Sequence, residues 1–86
     1  MSRCSMKFFY TYVLLCADNK HYIGYTDNVV RRLKEHQEGV TASTKPRRPV
    51  TLIYYEACRS KTAAMERERY FKTGFGRGFL KKRLSE

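Results

Sequence analysis

The sequence predicts an α+β fold, with three short strands and three helices in the order β-β-α-β-α-α. Its length of 86 residues is too small for two domains and sufficient for one. Hydrophobic residues make up 42% of the chain, and twelve of them are Phe or Tyr, which supplies the material for a core. Strand-like and helical segments are both short and are separated by turn residues. Residues 1–86 are therefore expected to form a single domain.

The first two strands form a predicted hairpin. Residues 8–16 are rich in aromatic and branched side chains and are short enough for a strand. Ala17-Asp18-Asn19-Lys20 has turn chemistry, because Asp and Asn side chains bond to their own backbone. His21–Thr26 then predicts the second strand.

A helix is predicted next, over residues 29–38. Asp27 or Asn28 can cap its N-terminus, its apolar positions recur at helical spacing, and Gly39 is a suitable C-terminal stop.

The second half of the chain begins with a predicted basic surface loop over residues 39–49. This segment holds no acidic residue, and Pro46 and Pro49 are expected to prevent a regular element there. The remaining predicted elements are a strand over 50–55, a helix that opens at Ser60 or Thr62 and ends near Thr73, and a short helix over 79–84 after the punctuating glycines 74, 76 and 78.

The net charge of +10 is concentrated in the second half. Residues 1–38 hold six basic and four acidic residues, a net of +2, whereas residues 39–86 hold twelve and four, a net of +8. A basic surface of this kind attracts phosphate backbones through counterion release. Charge alone equally suits a solvated face that keeps a protein soluble.

The cysteines and the N-terminal segment exclude several classes of protein. Cys4, Cys16 and Cys58 show no CxxC spacing and are accompanied by only two histidines, which supports neither a disulfide framework nor a zinc site. The apolar segment 8–16 is interrupted by polar residues and is too short for a signal peptide or a membrane span. The expected setting is a reducing cytoplasm, with no membrane partner.

Glu68 is the most unusual residue of the predicted second long helix. At about 100° per residue it lies between Phe71 and Met65, within the apolar stripe, whereas Glu66 points away. A carboxylate on the core-facing side is costly unless it is paired, bound to a metal or placed at a cleft. The alternative is a glutamate at the edge of the stripe that pairs with Arg or Lys.

Arg32 and His36 are four residues apart on the first helix and therefore project from the same face. A guanidinium and an imidazole placed in this way can address one anionic group together. In the alternative, Arg31 pairs with Glu35 and Lys34 with Glu38, and this leaves Arg32 and His36 as ordinary surface residues.

Tyrosines are concentrated in the predicted hairpin. Antiparallel pairing across its short turn would place Tyr12 and Tyr22 on adjacent strands within reach of a common point. A phenol near a cation or a metal can serve as a base. The alternative is that tyrosines simply suit half-buried strands.

These residues carry a resemblance to a known family. Three segments of this sequence resemble the signature of the GIY-YIG nuclease domain. They are Tyr10-Thr11-Tyr12, the run Tyr22-Ile23-Gly24-Tyr25-Thr26-Asp27-Asn28, and Arg31-Arg32-Leu33 with His36. The metal-binding helix of that family resembles Ser60-Lys61-Thr62 with Ala64, Glu68, Phe71 and Lys72. The resemblance covers about residues 8–83 and is closest to small single-domain bacterial members of the UPF0213 type.

The resemblance implies a three-stranded sheet flanked by helices and a phosphodiester cleavage that depends on one Mg²⁺ or Mn²⁺ ion, with no small-molecule cofactor. It implies that a tyrosine activates water, and whether Tyr12 or Tyr22 does so stays open. Arg32 would face the phosphate, His36 would orient or relay the proton, and Glu68 would hold the metal. The implied catalytic residues are Tyr12, Tyr22, Arg32, His36 and Glu68.

Two features depart from the family pattern. The first triplet lacks the family's glycine and isoleucine, and an asparagine that several family nucleases place after the metal helix has no counterpart, since Asn19 and Asn28 lie early. No second DNA-binding domain is expected, so substrate would be positioned by basic side chains that contact phosphates without specifying sequence. These predicted nucleic-acid-binding residues, which could alternatively serve solubility, are Arg31, Lys45, Arg47, Arg48, Lys72, Arg77, Lys81, Lys82 and Arg83.

The leading functional prediction is a metal-dependent endonuclease that acts on DNA with structural guidance or weak sequence specificity, in repair or recombination. A monomer is expected, with an oligomer as the alternative. The main alternative is a nucleic-acid-binding module of the same fold whose catalysis is weak or needs a partner. A third possibility is a protein-interaction domain that has kept only the fold.

Overall fold

Among residues 7–85, three strands and three helices follow one another in the order β-β-α-β-α-α, as the sequence predicts. The computed structural model of the protein describes residues 7–85. Its elements are β1 (Phe9–Leu15), β2 (His21–Thr26), α1 (Val29–Gln37), β3 (Thr51–Cys58), α2 (Lys61–Phe71) and α3 (Gly74–Leu84), with a short 3₁₀ helix (Lys45–Arg47) before β3.

The three strands form one sheet in the order β2-β1-β3. Both strand pairs are antiparallel, so this sheet is antiparallel and not mixed. The hairpin register places Tyr12 opposite Gly24 and Leu14 opposite Tyr22. Because side chains alternate between the faces of a strand, Tyr12, Leu14 and Tyr22 share one face of the sheet.

Helices cover both faces of this sheet. On one face, Tyr12 and Leu14 are buried together, and Leu33 of α1 packs against them. On the other face, Val13 of β1 is buried with Phe71 of α2 and Leu80 of α3. The alternation along β1 therefore gives α1 one side of the sheet and the helix pair α2 and α3 the other.

Side-chain caps begin the first two helices where the sequence indicates. Asn28 Oδ1 accepts a hydrogen bond from the Arg31 amide at 2.9 Å, and Ser60 Oγ accepts one from the Ala63 amide at 3.1 Å. Gly39 follows α1 with a φ of +80°, a left-handed conformation that favours glycine. Local capping chemistry therefore sets these boundaries.

The last helix corrects the sequence prediction, because α3 begins at Gly74 and not near residue 79. Thr73 caps it by accepting a hydrogen bond from the Gly76 amide at 3.1 Å. Gly76 is buried against the backbone of Tyr70 and Phe71, where a Cβ atom would overlap the Tyr70 carbonyl. The glycine run thus lies inside α3 and lets that helix pack closely against α2.

The predicted loop and third strand also differ from the structure. A 3₁₀ helix occurs at Lys45–Arg47 although two prolines were expected to prevent a regular element. Proline is tolerated in the first turn of a helix, where its missing N–H is not needed, and Pro46 lies there. β3 reaches Cys58 and not residue 55, because Glu56, Ala57 and Cys58 continue the pairing with β1.

Two further expectations concern the cysteines and the membrane. Cys16 and Cys58 are both free thiols, and Cys4 lies outside the described residues. Within residues 7–85, none of the helices has the length and apolar character needed to cross a bilayer.

Candidate active site

A cluster of three polar side chains joins β1 to α1. The Tyr12 hydroxyl lies 2.9 Å from Nε2 of His36, and the same hydroxyl accepts a hydrogen bond of 3.4 Å from Nε of Arg32. Arg32 and His36 are one turn apart on α1, as their spacing predicts. The sequence-predicted arginine, histidine and first tyrosine are therefore in direct contact, and we call these three residues the Tyr12 cluster.

Gly24 makes room for the phenol of Tyr12. It stands opposite Tyr12 in the hairpin, and a Cβ atom at this position would lie 2.6 Å from the Tyr12 hydroxyl. A side chain on residue 24 would therefore push the phenol away from His36 and Arg32.

Tyr22 lies beside the Tyr12 cluster and packs against it. Its ring centroid is 6.4 Å from that of Tyr12 and 5.0 Å from that of His36, which it meets edge to face. The expectation that the hairpin brings the two tyrosines to a common point is confirmed. No hydrogen bond within residues 7–85 joins the Tyr22 hydroxyl to the cluster.

His36 is completely buried, and the alternative in which it is an ordinary surface residue is wrong. Its second ring nitrogen, Nδ1, lies 2.7 Å from Oγ1 of Thr44, which is also completely buried. Both imidazole nitrogens therefore have partners, which fixes the orientation of the ring. The sequence did not indicate Thr44, because it lies in an irregular loop where no periodicity marks a buried position.

The cluster shifts the pKa values of its members. Burial raises the pKa of Tyr12 to about 12, although the hydrogen bond from Arg32 acts in the opposite direction. Burial also lowers the pKa of His36, and the nearby Arg32 charge acts in the same direction. At neutral pH the site therefore contains a protonated phenol facing a neutral imidazole.

Arg32 is held by an acidic neighbour. Its Nη1 atom lies 2.8 Å from Glu35 Oε1, and this hydrogen bond is the main reason that its pKa is raised. Arg31 turns mainly to Asp27, at 2.9 Å, and approaches Glu35 only to 3.7 Å, so the predicted Arg31–Glu35 pair is the weaker contact. Arg32 is thus permanently charged and fixed in place beside Tyr12.

An open groove of about 450 Å³ lies next to the cluster, between the end of β2, α1 and the start of α2. Arg31, Arg32 and Lys61 line it on the basic side, while Asp27 and Glu35 supply the acidic residues. Arg32 belongs both to the groove and to the cluster and therefore links the two, whereas Tyr12 itself does not line the groove.

Glu68 lies on α2, on the other side of the sheet from α1. Its side chain is 23% exposed, and its carboxylate binds the Lys72 ammonium at 3.0 Å, which is the pairing that the alternative interpretation expected. It makes no hydrogen bond to the Tyr12 cluster within the described residues, but its negative charge contributes to the raised pKa of Tyr12. Glu66 is exposed and points away, as predicted.

The donor set around Glu68 fits only a largely hydrated ion. The described part of the chain contains no group of three or more His, Cys, Asp or Glu side chains that could hold a metal. Mg²⁺ usually keeps several waters and takes one or two carboxylates together with substrate phosphate oxygens, which a single partly exposed glutamate satisfies. Glu68 is therefore compatible with such an ion once its carboxylate is shared with, or released by, Lys72.

The other predicted nucleic-acid-binding residues lie on the surface. Arg47 is held by Asp18 at 3.1 Å, and Arg48 donates to the carbonyls of Lys45 and Gln37. The remaining members of the predicted set are exposed basic side chains: Lys45 in the 3₁₀ helix, Lys72 after α2, and Arg77, Lys81, Lys82 and Arg83 on α3.

The three-stranded antiparallel sheet thus presents Tyr12 to Arg32 and His36 of the helix that follows the hairpin. The family described as GIY-YIG catalytic domain matches residues 8–83. This chain belongs to the GIY-YIG family, and the resemblance identified in the sequence is thereby confirmed.

The relatives are proteins of the UPF0213 group. A UPF0213 protein of Pediococcus pentosaceus is 51% identical over 65 residues, which cover 74% of this chain and 68% of that protein. The UPF0213 protein SH2523 of Staphylococcus haemolyticus is 49% identical over 65 residues, 74% of this chain and 79% of the relative. The solution NMR structure of the UPF0213 protein BH0048 from Bacillus halodurans is 36% identical, with a TM-score of 0.53, and the match covers 85% of this chain and 81% of that one.

Proposed function

We propose that this protein is a divalent-metal-dependent endonuclease that hydrolyses phosphodiester bonds in DNA, with structural guidance or weak sequence specificity, in DNA repair or recombination. The observation that carries the proposal is the position of the Tyr12 hydroxyl between Nε2 of His36 and Nε of Arg32. This arrangement would bring a proton acceptor, a proton relay and a phosphate-binding cation together at one point.

Tyr12 is the proposed general base. Because its pKa is raised to about 12 by burial, the phenol is protonated at neutral pH and must give up its proton when it accepts one from water. Neutral His36 offers Nε2 as the acceptor, with Nδ1–H donating to Thr44. The water proton passes to the Tyr12 oxygen while the phenolic proton passes to His36. The water oxygen forms the new bond to phosphorus, the bond from phosphorus to the leaving oxygen breaks, and that oxygen takes up a proton from solvent water.

Tyr22 has a supporting role in this proposal. Its ring contacts the imidazole of His36 edge to face, and it shares the sheet face with Tyr12. It therefore holds the imidazole in the orientation that the proton transfer needs and keeps water away from it.

Arg32 is the proposed phosphate ligand. Its Nε atom is engaged by Tyr12 and its Nη1 atom by Glu35, whereas no hydrogen bond or ion pair within residues 7–85 uses Nη2. This nitrogen faces no competing acceptor and can donate to a phosphate oxygen, where its charge stabilises the transition state.

Glu68 is the proposed ligand of one Mg²⁺ or Mn²⁺ ion. When bound, such an ion supplies Lewis-acid polarisation of the phosphoryl group and offsets its negative charge. Glu68 is suited to this task because its carboxylate is only partly exposed and is held by Lys72 alone among the described residues. Lys72, which now binds that carboxylate, would then be available to a phosphate of the substrate.

A second candidate function is a nucleic-acid-binding module of the same fold with weak or partner-dependent catalysis. The observation that favours it is that the carboxylates of Glu35 and Glu68 are already paired, Glu35 with Arg32 and Glu68 with Lys72. The net charge of +10 would supply binding without any chemistry.

The two functions are separated by cleavage assays on end-labelled single-stranded, duplex and branched DNA, in Mg²⁺ and in chelator. Wild type is compared with Tyr12→Phe, which removes only the central hydroxyl, and with Tyr10→Phe as the matched control on the same strand. The nuclease cleaves at least one form in Mg²⁺, the Tyr12→Phe variant is slower by on the order of 100-fold or more, and Tyr10→Phe is unaffected. Binding without cleavage of any form would favour the module, and equal cleavage by Tyr12→Phe would remove the proposed mechanism.

A further inference from the structure

A second concave region lies away from the Tyr12 cluster, between the turn of the β1–β2 hairpin and α3. It is a pocket of about 770 Å³, a size typical of small-molecule and cofactor sites. It shares no lining residue with the cluster or with the groove beside Arg32. Its wall comes from three separate parts of the chain: the hairpin, the 3₁₀ helix and α3.

The rim of this pocket is basic. Lys20, Arg47, Arg77 and Lys81 line it, and no acidic side chain among the described residues does so. Asp18 binds Nε of Arg47 but is not part of the lining. Charges from three segments that are distant in sequence therefore converge on one space, which predicts an anionic ligand.

The floor of the pocket is apolar. Ile23, Leu80 and Leu84 line it, and the first two are buried members of the core on this side of the sheet. A simple anion such as phosphate would leave this apolar surface exposed to water, whereas a flat, weakly polar ring would bury it. The lining of the pocket therefore suits a ligand that carries both a ring and a phosphate.

We propose that this pocket binds one nucleotide of the nucleic-acid strand, with its base on the apolar floor and its phosphate on the basic rim. The inference rests on the proposed function for the nature of the ligand and goes beyond it by assigning a binding site separate from the catalytic one. Lys20 and His21, which the sequence analysis did not single out, join Arg47, Arg77 and Lys81 in this pocket.

Two segments of the chain contribute residues both to this pocket and to the surroundings of the Tyr12 cluster. His21 and Ile23 line it, while Tyr22 between them points to the opposite face of β2 and packs on His36. On the loop side, the Arg47 amide donates to the Thr44 carbonyl at 2.8 Å, and the Thr44 side chain holds His36. A nucleotide held in the pocket would therefore lie on the sheet face opposite Tyr12. Strand β2 and the loop that contains Thr44 would separate it from the Tyr12 cluster.

The test is an NMR titration of the ¹⁵N-labelled full chain with thymidine 5′-monophosphate, in chelator and without divalent metal. Wild type is compared with Arg77→Gln/Lys81→Gln, and with Lys34→Gln/Arg69→Gln, which removes the same two charges from exposed helical positions outside the pocket. The amide signals of residues 20–23 and 77–84 should shift saturably. The pocket variant should weaken the Kd at least tenfold, and the control less than twofold.

Ligand fragments and a short strand complete the experiment. Thymidine and inorganic phosphate should each bind at least tenfold more weakly than the nucleotide, and a thymidine trinucleotide should bind more tightly at the same signals. Equal weakening by the two double variants, or equal binding of phosphate alone, would overturn the pocket. A trinucleotide no tighter than the mononucleotide would contradict its assignment to a strand.

Failure of this inference is distinguishable from failure of the proposed function, because the titration contains no metal and measures no cleavage. Nucleotide binding that depends on Arg77 and Lys81 would support the pocket even in a protein that cleaves no DNA. DNA cleavage by a protein whose pocket variant binds the nucleotide as tightly as wild type would overturn the pocket and leave the nuclease intact.

Discussion

The Tyr12 hydroxyl lies 2.9 Å from Nε2 of His36, which joins the centre of the sheet to the buried face of α1. Neither group is a surface side chain, since both residues are at least 98% buried. A buried phenol and a buried imidazole each need a hydrogen-bond partner, and here they supply one another. The same contact serves the proposed proton transfer, so the stability of the fold and the chemistry of the site depend on one hydrogen bond.

Thr44 is expected to position His36. Thr44→Val keeps the shape of the side chain but leaves Nδ1 of His36 without a partner in a buried site. We expect a loss of about 1–3 kcal/mol in the free energy of unfolding and a lower kcat with little change in KM. Thr44→Ser, which retains the hydroxyl, should stay close to wild type in both urea denaturation and cleavage kinetics. A valine variant as stable and as active as the serine variant would exclude this role.

The stability of the protein should depend on pH through His36. Its pKa is lowered by burial, so below the ordinary value of 6.5 the unfolded chain binds a proton that the folded chain does not. The free energy of unfolding should therefore be constant above about pH 6.5, fall as the pH decreases below it, and level off below the folded pKa.

Urea denaturation of matched histidine variants checks this sign. His36→Gln should lose the decrease below pH 6.5, whereas His21→Gln, which changes the exposed histidine, should keep it. The same slope in wild type and His36→Gln would show that other groups cause the pH dependence.

Gly24 is expected to be required for the geometry of the site. In Gly24→Ala the new methyl group would lie 2.6 Å from the Tyr12 hydroxyl and displace the phenol from His36. Cleavage should fall at least tenfold while the circular dichroism spectrum stays that of a folded protein. Gly78→Ala is the control, because its Cβ meets nothing within 4 Å in the middle of α3, and it should stabilise the protein by up to about 1 kcal/mol. Normal cleavage by Gly24→Ala would contradict the assigned position of Tyr12.

Much of the fold could be predicted because its signals are local. The caps at Asn28 and Ser60 begin helices at the expected positions, and the Asp18–Asn19 turn places Tyr12 and Tyr22 on paired strands. The start of α3 could not be predicted in this way. Glycine has a low helix propensity, and only the close packing of Gly76 on α2, a tertiary contact, explains its place inside a helix.

The contacts among the candidate site residues were only partly predictable from the sequence. Helical spacing alone places Arg32 beside His36, and the stripe on α2 marks Glu68 as unusual. Spacing does not reveal that Glu35 binds Arg32 more closely than it binds Arg31. Arg32 is three residues and Arg31 four residues before Glu35, and both positions can reach its carboxylate. Thr44 could not be predicted, because its contact with His36 depends on how an irregular loop closes over the sheet.

Metal binding at Glu68 can be measured without any cleavage. Mn²⁺ should broaden the amide signals around Glu68 in spectra of wild type, and Glu68→Gln should lose this broadening. Lys72→Met removes the cation that now binds the carboxylate and should strengthen the Mn²⁺ effect. Broadening that is unchanged in Glu68→Gln would place the ion elsewhere.

The most direct test of the central claim is the rate of Mg²⁺-dependent DNA cleavage by Glu68→Gln compared with Glu66→Gln. The two variants each remove one negative charge from α2, at positions two residues apart, of which Glu68 is partly buried and Glu66 is exposed. If Glu68 holds the metal ion, Glu68→Gln should cleave on the order of 100-fold more slowly than wild type, while Glu66→Gln should be unchanged. Equal rates for the two variants, or no Mg²⁺-dependent cleavage by wild type, would contradict it.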